Sequence, residues 1–163
     1  LYFTDNGADF MGDDSPPDEL NHLRQESQHF GFPYFGGGAD RTNDFKGRQL
    51  PKKITAPIVK FGAHVAALGI HFYRGTQFPK AYRNDAFVAQ HGSWNRAVPQ
   101  GYRIMRIKMD EKGSVMGKEI FADGWLQGGS AWGRPVDIKE TPDGALLVSD
   151  DSAGVIYRIS YKK

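Results

Sequence analysis

From residue 132 onward the chain alternates short apolar runs with turn signals. Asp143-Gly144 leads into the apolar run Ala145 to Val148, a polar break spans Ser149 to Gly154, and Val155 to Tyr161 is rich in β-branched and aromatic residues. The pattern predicts a strand, a hairpin and a second strand. An earlier stretch has the same order: Tyr82 to Asp85 as a turn, Ala86 to Ala89 as a strand, a polar loop from Gln90 to Gln100, and a strand from Tyr102 to Lys108. Val88 and Val148 hold the same place in the two copies, 60 residues apart, and Arg106-Ile107 matches Arg158-Ile159.

The opening Leu1 to Gly7 reads as a third copy of the inner strand and its exit loop. Strand-and-turn units repeated without a helical element predict a radial array of sheets, so the expected fold class is all-β, a β-propeller. The intervals, 85 residues from Phe3 to Val88 and then 60, exceed the roughly 40–50 of a lean blade, which implies long loops inserted on one face. At that blade size the chain covers about three blades, whereas closed propellers have typically 4–8. Residues 1–163 are therefore expected to form a single partial propeller domain. The start at Leu1, inside an expected strand, suggests a fragment or a chain that closes against a partner.

Other elements are less regular. Leu68 to Tyr73 and Glu119 to Phe121 read as further strands, and Trp125 and Trp132 fall on glycine-rich loops. Residues 24–62 read as a long surface loop, in which Gly36-Gly37-Gly38 is a flexible turn, and Pro17 to Gln25 reads as a turn or two of helix with Asp18 and Glu19 at its start.

Composition narrows the function. With 39% hydrophobic and 25% charged residues the chain is globular, and it holds no apolar run near the roughly 20 residues of a membrane span. Its net charge of +2 comes from scattered lysines and arginines without a basic stripe, which argues against nucleic-acid binding. The 20 glycines and 9 prolines suit a turn-rich β chain, and the absence of cysteine excludes disulfides and thiolate chemistry.

Five carboxylates, Asp9, Asp13, Asp14, Asp18 and Glu19, fall within eleven residues beside loop carbonyls near Gly7 and Ala8. Calcium takes six to eight oxygen ligands of both kinds, but the spacing is not that of an EF-hand, and a solvated acidic loop is the commoner reading of such a run. The five histidines, His22, His29, His64, His71 and His91, lack zinc spacing. His64 and His91 stand out because they lie at strand ends. Trp94, Asn95 and Arg96 in one repeat, and Trp132 and Arg134 in the other, bring flat aromatic faces and planar cations to loops, which suits a flat anionic ligand. Core packing and surface ion pairs account for the same residues equally well.

The phrases Thr4-Asp5-Asn6-Gly7, Asp18-Glu19-Leu20-Asn21, His29 to Pro33, Phe72-Tyr73, His91 to Asn95 and Gly133 to Asp137 through Pro142-Asp143-Gly144 resemble the soluble glucose/sorbosone dehydrogenase family, most closely its sorbosone dehydrogenase-like branch. The resemblance runs in order over nearly the whole chain and matches the C-terminal half of that family. It implies a six-bladed propeller that uses pyrroloquinoline quinone (PQQ) with calcium to oxidise aldose sugars or sorbosone, in the periplasm or outside the cell. By position it implies calcium-facing carbonyls at Gly7 and Ala8, where the family often has proline at the second. It implies additional calcium ligands at Asp18 and Glu19, with Phe30 replacing an oxygen-bearing aromatic of that site. It further implies quinone contacts near Asn95 or Arg96 and at Arg134, while Val136 replaces a second family arginine. None of the five histidines matches the family's general base, so the resemblance implies a chain that supplies calcium and cofactor loops without that base. The missing N-terminal half, or a second copy closing the ring as a homodimer, is the implied partner. A non-catalytic carbohydrate-binding or assembly module is the alternative.

Overall fold

The computed structural model describes residues 1–162. They form two compact units, one of Leu1–Ala67 with Gly92–Gly101, the other of Leu68–His91 with the residues from Tyr102 on. Both are built of antiparallel strands and short 3-10 turns. No helix among the described residues is long and apolar enough to cross a membrane.

In the first unit β1 (Tyr2–Asp5), β2 (Pro17–His22) and β5 (Val59–Ala63) form a sheet in the order β1-β2-β5. The strand expected at the start of the chain is therefore present. The helical turn expected over Pro17 to Gln25 is instead the central strand β2, paired on both sides: Glu19 lies opposite Asp5 on β1 and Lys60 on β5. Asp18, Glu19 and Asn21 are buried acceptors and donors of this strand rather than a solvated helix start. The long loop expected over 24–62 also carries structure. β3 (Phe35–Gly37), which takes in Gly36 and Gly37 of the three glycines expected as a flexible turn, pairs with β4 (Asp40–Arg41); a 3-10 turn follows at Asn43–Phe45, and β5 completes the sheet of β1 and β2.

The second unit follows the sequence pattern closely. β6 (Ala67–Phe72, its first residue in the first unit), β7 (Ala86–Gln90), β8 (Arg103–Met109) and β9 (Val115–Ala122) form a four-stranded sheet in chain order. After the small hairpin of β10 (Leu126–Gln127) and β11 (Ser130–Ala131), the strands β12 (Pro135–Glu140), β13 (Leu146–Asp150) and β14 (Val155–Ile159) form a three-stranded sheet. Phe87 and Ala89 of β7, Ile104 of β8, Ile138 of β12 and Leu146 and Val148 of β13 meet in one core with Tyr73, Phe78, Tyr102 and Trp125. Tyr73 ties that core to the turn before β13 by donating its hydroxyl to the Gly144 carbonyl at 2.8 Å.

The two copies seen in the sequence are equivalent in space: Val88 and Val148 each sit on the second strand of their sheet, Arg106 and Arg158 each on the third. Each arginine holds a carboxylate, yet in unlike surroundings. Arg106 is buried, donates to Asp85 at 2.6 Å and Glu119 at 2.9 Å, and lies 3.7 Å over the Tyr82 ring. Arg158 pairs with Asp143 where both side chains are about half exposed.

Removing one member of a buried pair strands the other charge, whereas an exposed pair contributes little. Arg106→Met is expected to lower unfolding free energy by about 3 to 5 kcal/mol, and Arg158→Met by less than about 1 kcal/mol. Urea denaturation of the two variants checks the difference, and equal losses would contradict it.

Candidate functional site

The first unit builds a small cavity, of about 100 Å³, between the exit of β1 and the loop after β5. Its walls are Asn6, Gly7, Asp9, Asp18, His64, Ala66, Trp94 and Asn95. Asp18 organises it: Oδ1 accepts the Gly7 N–H at 2.7 Å and Oδ2 accepts the Ala66 N–H at 2.6 Å. Burial pushes the Asp18 carboxyl above its ordinary value, against the lowering pull of the Gly7, Ala66 and Ala67 N–H groups and of His64. Gly7 has to be glycine for this approach, since a Cβ there would lie 2.8 Å from Pro16 Cγ and 3.0 Å from the Pro17 carbonyl oxygen.

On the opposite wall His64 and Ala66 take the left-handed backbone conformation, at φ 61° and 52°, uncommon for non-glycine residues. That kink turns the Ala66 N–H toward Asp18. His64 Nε2 lies 2.8 Å from the Gly12 carbonyl oxygen, which can only accept, so the proton sits on Nε2 and Nδ1 faces Asp9 Oδ1 at 4.0 Å. Asn95 donates from Nδ2 to the same Asp9 oxygen at 2.8 Å. Its Oδ1 is buried and has no hydrogen-bond partner. An orphaned amide oxygen beside two carboxylates is an oxygen-donor set of the kind a hard cation takes. Among the described residues, however, no three His, Cys, Asp or Glu side chains are grouped to hold a metal, so a cation here would rely on amide and main-chain oxygen.

The residues singled out in the sequence thus separate. Gly7, Asp18, His64, Trp94 and Asn95 converge on this cavity. Ala8 and Glu19 line its neighbour, of about 80 Å³, with Asp5, Phe30 and Gly36. Adjacent strand residues project to opposite faces, so the Asp18 and Glu19 carboxylates look into different cavities. Glu19 is held there by the Gly38 N–H and, at 3.0 Å, by Asn21 Nδ2. Asp5, opposite Glu19 in register, is pushed above the ordinary carboxylate value by burial and by that neighbouring charge. Arg96 lies outside the cavity and clasps the acidic loop, donating to the Asp13 carbonyl and to Asp14 at 3.2 Å.

In the second unit Arg134 and His91 are neighbours, since Arg134 Nε donates to the His91 carbonyl at 3.1 Å with its guanidinium 5.6 Å over the Tyr102 ring. His91 Nε2 binds Asp151 at 2.8 Å and thereby holds that carboxyl below its usual value. Trp132 stacks on Trp125 with ring centroids 6.3 Å apart and donates its indole N–H to the Gly124 carbonyl at 2.7 Å. Gly133 lets this aromatic stack close onto β13: a Cβ there would lie 2.2 Å from Asp150 Oδ2 and 2.7 Å from Trp125 Cδ1. Burial would raise the Asp150 carboxyl, but the N–H groups of Ala153, Arg134 and Ser152 and the Tyr157 hydroxyl hold it below its ordinary value.

Residues without a role of their own in the sequence also act. Asp9, one carboxylate of an acidic run, accepts from Asn95 in the cavity, and Asp150 and Asp151 bind the Arg134 N–H and His91; their signal lies only in the partners that folding brings to them.

Asp18→Ala leaves two buried N–H groups without acceptors and is expected to cost on the order of 3 kcal/mol of stability, read from urea denaturation. Asp150 has a depressed folded value, so its stabilisation is present above the ordinary carboxylate range and is lost as pH falls through the folded value. Acid titration of melting temperature is expected to be shallower for Asp150→Asn than for the parent chain, and parallel curves would rule the linkage out.

Comparison with known proteins places these observations. The TrAA12-like family matches residues 17–162. An uncharacterized protein of Borreliella burgdorferi is 46% identical over 167 residues, covering all of this chain and 44% of its own length. Among solved structures, the calcium structure of a Trichoderma reesei enzyme of carbohydrate-active enzyme family AA12 superposes at TM-score 0.72 and 19% identity, over 92% of this chain and 44% of that one. The holo form of the pyranose dehydrogenase PQQ domain from Coprinopsis cinerea follows at 0.68 and 16%, over 98% and 50%. The apo-form of the soluble aldose sugar dehydrogenase of Escherichia coli gives 0.61 and 16%, over 96% and 44%. At such identities the structural likenesses speak for the fold, an all-β propeller of which this chain spans about half the length of its relatives. With a family match over most of its residues and a relative at 46% identity along its whole length, the chain belongs to the TrAA12-like family.

Proposed function

We propose that the chain is the C-terminal part of a quinone-dependent sugar dehydrogenase, a single partial propeller that supplies calcium and cofactor-binding loops but not the catalytic base. One observation carries the reading most directly: Asn95 Oδ1, buried without a partner, beside Asp9 and Asp18 and the Gly7 turn. Calcium bound there, with PQQ, would supply an electrophilic acceptor for hydride from an aldose sugar or sorbosone.

This chain's own residues then have separable tasks. Asp9, Asn95 and Gly7 hold the cation, with Asp18 fixing the turn and Ala8 and Glu19 bracing the neighbouring cavity. His64 holds the Gly12 carbonyl of the acidic loop against the kink after β5, and Asn95 Nδ2 orients Asp9. Trp94 shields one side of the cavity. Within the second unit Arg134, Trp132 and His91 offer a planar cation and ring faces of the kind that suit a flat tricarboxylate, while Arg96 in the first unit holds the acidic loop. A PQQ domain in its holo form and a calcium structure among the structural relatives support this assignment. A periplasmic or secreted location follows from the same reading.

A second reading, a non-catalytic carbohydrate-binding or assembly module that closes as a homodimer or against a missing N-terminal half, is favoured by β14. Its sheet has three strands where the equivalent sheet has four, and Ile156 on it is 68% exposed. An open, apolar strand edge invites pairing.

Titration of the purified chain with calcium is expected to raise its melting temperature, since a ligand at 100-fold over its dissociation constant adds about 2.7 kcal/mol. Asn95→Leu is expected to abolish the rise. No shift with calcium, or an undiminished one in the variant, overturns the assignment. Dye reduction with calcium, PQQ and glucose or sorbosone is expected to be negligible for the chain alone, and turnover would refute the absence of the base.

A further inference from the structure

The first unit carries a strip of uncommitted positive charge on the connection between the 3-10 turn and β5. Residues 41–60 hold six of the chain's 21 lysines and arginines, Arg41, Lys46, Arg48, Lys52, Lys53 and Lys60, against one of its 19 acids, Asp44. They carry +5 where the whole chain carries +2, which leaves −3 to all the other residues. From Lys46 to Ile58 the backbone makes no strand pairing among the described residues beyond the single bridge of Ile54 to His29. Irregular stretches of that length are uncommon in compact domains and usually functional when ordered. This one is pinned through its main chain. Arg41 Nη2 donates to the Phe45 carbonyl at 2.9 Å and the Arg48 carbonyl at 2.6 Å, Lys52 Nζ donates to the Ser27 carbonyl at 2.7 Å, and the Thr55 N–H donates to the His29 carbonyl at 2.7 Å. Lys46, Arg48 and Lys53 are left exposed, and none of the three side chains forms an ion pair or a hydrogen bond among the described residues. Like charges held together on an ordered loop repel one another, a cost that an anionic partner removes.

The chemistry of the strip selects its partner. Phe45, the ring beside it, is half-buried and turned against Tyr34 with centroids 5.2 Å apart, so it offers no open face for a stacked base. Four of the five exposed cations, Lys46, Lys52, Lys53 and Lys60, are lysines, point charges without the planar fork that matches a fixed phosphate or carboxylate. Such a set fits a layer whose negative groups can move to meet it, the headgroups of an anionic lipid surface. The exposed acids at its borders, Asp44 and, on the turn that Lys52 binds, Glu26, are too few to cancel it. We infer that the strip of Lys46, Arg48 and Lys53, flanked by Lys52 and Lys60, docks the chain on an anionic lipid membrane by charge alone. Such docking needs none of the calcium or quinone chemistry.

Co-sedimentation of the purified chain with phosphatidylcholine vesicles, prepared with and without phosphatidylglycerol, tests it. Binding is expected only where phosphatidylglycerol is present, and is expected to be lost in about 1 M salt, where the screening length falls to about 3 Å. At about fivefold per cation, the combined substitution Lys46→Gln, Arg48→Gln and Lys53→Gln is expected to weaken binding on the order of a hundredfold, with the melting temperature unchanged. Arg83→Gln, Lys112→Gln and Lys139→Gln together, which remove the same charge from exposed positions of the second unit, are expected to leave binding as it is. Equal binding to both kinds of vesicle, binding to neither, or equal losses in the two triple variants would each overturn the docking surface. Tighter binding of a duplex oligonucleotide or of polyglutamate than of the vesicles would overturn the lipid as its partner.

Discussion

The Asp18 carboxylate holds the candidate site together, because its two oxygens bind the turn after β1 and the kink after β5 at once. A strand pair alone would bring β1 and β5 to opposite sides of β2 and leave their loops independent. Two short hydrogen bonds from backbone N–H groups to one buried carboxylate convert those loops into the walls of a cavity. The arrangement has an electrostatic consequence. A carboxylate taken out of water is disfavoured in its charged form, and the compensating N–H groups only partly restore it, so the cavity keeps a demand for positive charge or for further donors. Asn95, with its amide nitrogen on Asp9 and its oxygen unpartnered, leaves that demand open on the opposite wall.

The second unit depends on a different device, a repeated arginine on the third strand of each sheet. In one copy the guanidinium is sealed under Tyr82 and serves Asp85 and Glu119, the latter contributed by the fourth strand. In the other copy no fourth strand is present among the described residues, and Arg158 remains at the surface with Asp143. The same sequence element is thus a core anchor or a surface pair according to whether a further strand covers it.

What was legible in the sequence follows from these two cases. Strands with one wet face or clear turn punctuation were read correctly: β7, β8, β13 and β14 lie where the alternation of apolar runs and turns put them, and the equivalence of Val88 with Val148 held in space. β2 was misread because a central strand that buries Asp18, Glu19 and Asn21 has no apolar pattern to show. β5 was hidden in a long irregular stretch, for its partner lies some forty residues earlier and local pattern carries no trace of that pairing. Within the site, Gly7, Asp18, His64, Trp94 and Asn95 were legible as types and do converge, but the parting of Asp18 from Glu19 and the clasp of Arg96 on the acidic loop depend on strand direction and loop closure, which residue identity does not encode.

Ala8 brings the two cavities into one argument. Its N–H donates to the Gly36 carbonyl at 2.7 Å, and the Gly7 N–H is bound by Asp18, so both donors of this turn are committed to protein. What the two residues have left for a ligand is carbonyl oxygen, the hard donor that calcium prefers. A proline at position 8, which the family resemblance leads one to expect, has no N–H and could not make the bond to Gly36. Alanine therefore does more here than tolerate the position: it ties β3 to the turn, and through Gly36 and Gly37 it closes the cavity in which Glu19 and Asp5 face each other. The wall between the two cavities is then a single stretch of backbone whose side-chain chemistry is nearly absent, and any cation preference it has arises from main-chain geometry set by Asp18 on one side and Gly36 on the other.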